Sequence, residues 1–287
     1  MLRFLHVSQG AHAAADHFGC FRHRRERFSR DPVVTELGGE DLGRGLRPGA
    51  AHYRAFVGPP EDYDLIAALQ FNLLTALGLR EHHHLLDIGC GSLRAGRLFI
   101  PYLLPDRYFG IEPEQWLVEQ GIERELGRDL IEIKRPTFSD ISDFGLSRLE
   151  HRFDFLLAHS IFSHAPVASI ERCLREARKV MDSESLFVAT FVEGKENYAG
   201  LRWAYQADAL SWTDEWEKRG SVAYTFDFLH DLASRCELAC QRIDWPHPRQ
   251  RWIGLTLAES GTPPGPDAVA RTRRLLSAAA RHRSRLL

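Results

Sequence analysis

The sequence is short of several things, and each shortage excludes a class of protein. Its 287 residues include five cysteines (Cys20, Cys90, Cys173, Cys236 and Cys240), an odd number with no C-x-x-C pair, which argues against a disulfide framework. That usage fits a reducing cytoplasm. No uncharged apolar run reaches the ~18 residues of a membrane-spanning helix. The first 20 residues carry Arg3, His6, Gln9 and Asp16 and lack the apolar core of a signal peptide, so neither membrane insertion nor export is expected. Charge of one sign is missing as well. A net charge of -2 and a pI near 6.7 supply no cationic field for a nucleic-acid backbone. What remains is a chain that is 44% hydrophobic and long enough to bury a sizeable core.

The stretch with the most chemistry is His84-Leu85-Leu86-Asp87-Ile88-Gly89-Cys90-Gly91-Ser92-Leu93-Arg94. An apolar run ends in an acid and breaks into glycines, which predicts a buried strand, a tight turn and the start of a helix. Gly89 and Gly91 would let a ligand lie against bare backbone, while Asp87 meets a positive or hydrogen-donating part of it. A dinucleotide fingerprint needs a third glycine, and Arg94 stands there. Farther on, Tyr108-Phe109-Gly110-Ile111-Glu112-Pro113 reads as a second buried strand ending in an acid, 25 residues after Asp87. Strand, helix and strand fit in that interval, so both acids should emerge at one edge of a parallel sheet, where Glu112 can accept hydrogen bonds from ribose hydroxyls.

The run from Leu85 to Gly91 resembles the first motif of class I S-adenosylmethionine-dependent methyltransferases, and Leu85 to Tyr102 together with Tyr108 to Gly121 resembles bacterial ones found with glycan and secondary-metabolite enzymes. Leu93 departs from it, standing where many members have another glycine. The resemblance extends over about residues 60 to 258. It implies an α/β fold of the three-layer, Rossmann-like kind: a seven-stranded, mostly parallel sheet with helices on both faces and an antiparallel last strand. It also implies S-adenosyl-L-methionine as cofactor, with S-adenosyl-L-homocysteine as product. Asp87, Gly89, Cys90, Gly91, Glu112, Pro113, Ala158, Asp140 and Ile141 would hold the cofactor, Asp140 by accepting from the adenine amino group. Arg94 becomes a candidate for the methionine carboxylate, competing with a surface salt bridge. Tyr63 and Gln70, on a helix ahead of the first strand, are candidates for cofactor contact, a covering helix being the alternative.

The remaining elements follow from periodicity. Residues 62–77, 93–104, 115–126, 167–181 and 226–235 predict helices, and 130–134, 153–160, 185–192, 237–243 and 251–258 predict strands. Three domains are expected: an arm or lid over 1–60, a methyltransferase domain over 61–260 with an acceptor or lid insertion at 193–225, and a Pro-rich linker with a basic helix over 261–287. His82-His83-His84 cannot converge on one ion, because adjacent residues in an extended stretch alternate faces, and no metal is expected.

The acceptor side rests on the end of the fourth strand. Ala158-His159-Ser160-Ile161 stands where methylases of bases carry an Asn-Pro-Pro-Tyr-like turn, which argues against DNA. His159 and His164 are the candidate bases, each with a structural alternative. Tyr198, Trp203, Tyr205, Trp212 and Trp216 crowd one segment, where Trp203 and Tyr205 are candidates for an acceptor pocket or for packing on the core; Asp244, Trp245 and His247 are candidates for the same pocket or for a rigid Pro-rich hairpin. The expected partner is a small-molecule acceptor, a hydroxyl of a natural product or sugar, with no nucleic acid, no membrane and a homodimer as candidate assembly. N-methylation of an amino sugar or amino acid, a nicotinamide-dependent oxidoreductase and a non-catalytic cofactor-binding scaffold remain alternatives.

Overall fold

The computed structural model describes residues 41–201 and 221–258, with backbone alone over 198–201. These residues belong to one compact unit that starts at Asp41. The expected features within 1–40, the aromatic residues Trp203, Tyr205, Trp212 and Trp216, and the basic helix near the end lie outside the described residues.

The unit is built on β1 (Leu85–Ile88), whose four residues are all buried, as a strand covered on both faces must be. Around it lie β2 (Tyr108–Ile111), β3 (Thr137–Ser139), β4 (Phe155–Ala158) and β5 (Leu186–Glu193), all parallel, in the order β3-β2-β1-β4-β5. The chain works outward from β1 to β3, then returns to β4 on the other side. The order therefore reverses between β1 and β4, and a crevice opens there at the carboxyl ends of the strands. Beyond β5, β9 (Arg251–Leu257) is inserted antiparallel, pairing Phe187 with Leu255 and Phe191 with Arg251. It pairs in turn with β8 (Leu238–Ile243). These seven strands are the expected sheet.

Two further strands extend it. β6 (Tyr198–Leu201) and β7 (Ser221–Tyr224) pair antiparallel, and β7 continues alongside the end of β5 through Val192 and Ala223. The described residues thus form nine strands rather than seven, the additional pair falling in the segment expected to carry an insertion.

Helices cover both faces. α2 (Tyr63–Ala76), α3 (Gly96–Tyr102) and α4 (Gln115–Gly121) share a core with Leu85, Leu157, Val188 and Trp252. α6 (Val167–Val180) and α7 (Phe226–Arg235) share the other with Leu86, Leu156, Phe187 and Leu255. Alternate residues of each central strand enter opposite cores, which gives the three layers their period of two.

Three local expectations are corrected. Residues 130–134 are not the third strand: they belong to helix α5 (Arg128–Lys134), and β3 follows at Thr137. The apolar-polar alternation there was misleading because Ile133 is 61% exposed, so it marks no buried strand face. The helix after the glycines starts at Gly96 rather than Leu93, because Leu93 has φ +58 and cannot continue a right-handed helix. Where a turn from Tyr53 to Pro60 was expected, the chain forms a short helix, α1 (Tyr53–Phe56), in which Tyr53, Arg54 and Ala55 are buried.

Candidate functional site

The glycine loop leaves β1 at the reversal point. Gly89 (φ +72) and Gly91 (φ +56) have left-handed backbone, and Leu93 keeps that conformation without being glycine. Cβ atoms would also collide: one on Gly89 would run into Ile161 Cδ1, and one on Gly91 would lie 2.7 Å from Val57 Cγ1. Two segments therefore lie over the loop, one following β4 and one from α1. From beneath, the Gly89 and Cys90 amides donate to the Ile111 carbonyl at 2.8 and 3.0 Å, and Tyr63 Oη donates to the Ser92 carbonyl at 2.9 Å.

The three acids take different positions. Asp87 is buried and accepts from Tyr108 Oη at 2.8 Å; burial, ahead of all other causes, raises its carboxyl to about 6. Register explains the contact: Asp87 pairs with Gly110, so Tyr108 lies diagonal to it on the same face. Glu112, at the end of β2, is 9% exposed and accepts from the Gly91 amide at 3.0 Å and the Glu114 amide at 2.9 Å. Burial pushes its carboxyl up and the two amides pull it back. Each oxygen accepts one bond and has capacity for another, at the rim of the loop. Asp140 follows β3 directly and is exposed, with half-buried Ile141 beside it.

Across the reversal point a polar chain starts at Arg94. Its guanidinium donates to the Val57 carbonyl and to His159 Nδ1, both at 2.9 Å, and its Nε is buried without a partner. Burial lowers Arg94 to about 10. His159 directly follows β4, and its Nε2 faces His247 Nε2 at 3.0 Å. His247, in the turn between β8 and β9, accepts at Nδ1 from the Arg249 amide at 3.1 Å and the Gln250 amide at 2.8 Å. Burial first, then nearby arginines, pushes both histidines down, His247 to about 3. Gln250 Nε2 donates to Ser160 Oγ at 2.8 Å, and Ser160 (φ +62) has its amide on Thr190 Oγ1 at 2.7 Å.

The structure thus brings Arg94, His159 and His247 into one cluster, and Gly89, Gly91, Glu112, Asp140 and Ile141 to the loop and the neighbouring strand ends. Others it puts elsewhere. Tyr63 is fully buried behind the loop, and Gln70 donates into its own helix at the Ile66 carbonyl, so neither faces outward as a cofactor contact would. Trp245 is a core residue whose Nε1 donates to the Leu69 carbonyl at 3.1 Å, tying the β8–β9 turn to α2. His164 is exposed in the turn ahead of α6, Pro113 is exposed, and Ala158 is buried at the end of β4.

Three participants were missed in the sequence: Val57, Tyr108 and Gln250. Tyr108 had a signal, since the diagonal to Asp87 follows once β1 and β2 are aligned. Val57 and Gln250 are brought in by turns with no periodicity.

No protein-family model and no curated protein matches the sequence. Solved structures do. The glycopeptide N-methyltransferase MtfA superposes with a TM-score of 0.51 at 11% identity over 68% of this chain and 90% of its own. The complex of DhpI with SAH gives 0.50 at 14% over 73% and 91%. An S-adenosylmethionine-dependent methyltransferase from Clostridium acetobutylicum gives 0.50 at 10% over 69% and 93%. The fold is therefore that of the class I S-adenosylmethionine-dependent methyltransferases.

Proposed function

We propose that the protein is a methyltransferase that binds S-adenosylmethionine at the glycine loop and methylates a small molecule, at an oxygen. The observation that carries the reading is Glu112: a buried carboxylate at the end of β2, tied to the Gly91 amide, with lone pairs left for ribose hydroxyls. Asp140, exposed after β3, suits the adenine amino group, and the loop offers backbone in place of a phosphate site. This set of acceptors fits the hydroxyl and amino donors of adenosine. When bound, the cofactor supplies a methyl group already activated by its sulfonium, so the protein's part is alignment in a water-poor site. The bound ligand of DhpI supports the same cofactor.

Calorimetry with S-adenosylhomocysteine tests this. Binding is expected, and Glu112→Ala should weaken it tenfold or more, about 1.4 kcal/mol. Unchanged affinity would remove the ribose assignment, and stabilisation by NAD alone would revive the oxidoreductase reading. Nitrogen is the second acceptor reading, because one neighbour is a glycopeptide N-methyltransferase. Fragmentation of the methylated product separates the two, and cofactor binding with no product from any acceptor would point to a scaffold.

A further inference from the structure

Arg94, His159 and His247 cannot be satisfied by one another. A guanidinium only donates, so His159 Nδ1 accepts from Arg94 Nη2, and the hydrogen of the neutral His159 ring must sit on Nε2. At the other end, two backbone amides donate to His247 Nδ1, so the hydrogen of that ring also sits on Nε2. The two Nε2 atoms face each other at 3.0 Å. Both rings are held neutral by burial and by nearby arginines, so two N–H groups meet with no acceptor between them. The charge count gives the same answer. Arg94 is buried, its two hydrogen-bond acceptors are uncharged, its Nε donor has no partner, and the carboxylates that attract it, Asp87 and Asp62, are engaged by Tyr108 and Arg249 instead. A buried cation ordinarily has a counter-charge.

Hydrogen and charge therefore require one kind of visitor, an oxygen with free lone pairs and negative charge. We propose that Arg94, His159 and His247 form an anion subsite that receives a carboxylate of the methyl acceptor, the rings parting to give it their Nε2–H groups while Arg94 balances its charge. The half-buried His247 ring is the side open to entry. The acceptor is favoured over the cofactor as the source because His159 and His247 lie beyond β4 and in the β8–β9 turn, whereas Glu112 and Asp140 end β2 and β3 across β1. The substrate class is thereby narrowed to small carboxylic acids, and His159 becomes a donor that positions the substrate rather than a base. The word acceptor rests on the methyltransferase reading; the anion subsite does not.

The test uses the full chain labelled with ¹⁵N at histidine. Two-bond ¹H–¹⁵N correlations should show both rings protonated at Nε2 at neutral pH. Acetate, titrated against chloride at matched ionic strength with S-adenosylhomocysteine saturating, should shift both rings saturably. Arg94→Gln should weaken acetate about tenfold. His247→Gln, which keeps an N–H donor, should retain a response that His247→Phe loses. A ring protonated at Nδ1, or a linear acetate response equal to that of chloride, would overturn the subsite. If S-adenosylhomocysteine shifts the rings, 5′-methylthioadenosine does not, and acetate competes only with the former, the cofactor's carboxylate is the ligand and the proposal fails. If neither nucleoside binds, the methyltransferase reading fails, and the titration of ligand-free protein still decides the subsite.

Discussion

Asp87 shows how far a single side chain can differ from its sequence reading. The acid was expected to face a ligand, but its carboxylate accepts from Tyr108 inside the core, and burial raises it to about 6. A carboxyl with a folded pKa above its unfolded value of about 3.9 holds its proton more tightly when folded. The stability from that linkage is fully present below about pH 4 and is lost as pH rises through about 6, amounting to about 2 to 3 kcal/mol. Asp87→Asn cannot titrate and keeps an oxygen for Tyr108. Between pH 4 and pH 7 the stability difference should move in favour of the Asn variant by about that amount. Urea denaturation of both proteins at the two pH values measures it, and a pH-independent gap would contradict the assignment. At this scale residue types were legible in the sequence and their partners were not. Gly89, Gly91 and Glu112 stand at the loop as read, whereas Tyr63 and Trp245 turned inward, because which face a polar side chain takes depends on elements distant in the chain.

Elements were legible where burial and periodicity coincide. The helix over 226–235 has its observed limits, since Thr225 caps it by accepting from the Phe228 amide, and β1 and β4 read as apolar runs because both their faces are covered. The stretch at 130–134 failed because alternation with one exposed isoleucine imitates a strand. The short α1 carried no periodic signal at all, yet it is fixed by a buried ion pair. Arg54 Nε donates to Glu125 Oε1 at 2.8 Å, Tyr53 Oη reaches the same oxygen at 2.9 Å, and the side chains of Arg54 and Glu125 are 8% and 6% exposed. Glu125 is presented by a single π turn (Ile122–Leu126) that continues α4. Removing Glu125 leaves buried Arg54 with only the exposed Asp64, 3.7 Å away, as a counter-charge, at about 3 kcal/mol. Glu125→Ala should therefore lose about 3 kcal/mol in chemical denaturation. Faster amide exchange over residues 53–58 should accompany it, because that segment holds Val57 over Gly91. Exchange unchanged there would show that α1 is held by something else.

Across the whole molecule, the sheet order ties the core to the candidate site. The parallel half could be read from chain order, since strand–helix–strand units admit few connections, whereas the antiparallel last strand was implied by the methyltransferase resemblance. The additional β6–β7 pair could not, because its two strands join only along the end of β5, a register that no local pattern encodes. The tie itself is Trp252. It lies fully buried on β9 between β5 and β8, and its Nε1 donates to the Pro246 carbonyl at 3.2 Å. Its ring packs against His159 at 5.6 Å and His247 at 5.7 Å. The turn that presents His247 is thus anchored to the middle of the sheet. Trp252→Phe keeps an aromatic ring but removes the donor and some volume, which should cost about 1 to 2 kcal/mol and lower Tm by a few degrees. Glu112 lies across β1 from this anchor, so S-adenosylhomocysteine affinity should stay within about twofold while the acetate response of the two histidines weakens several-fold, changes of about 0.4 kcal/mol or less and about 1 kcal/mol. If both ligands weakened together, the sheet would be transmitting the change as one body. If the acetate response alone were lost, the anion subsite would depend on the β8–β9 turn, independently of the glycine loop.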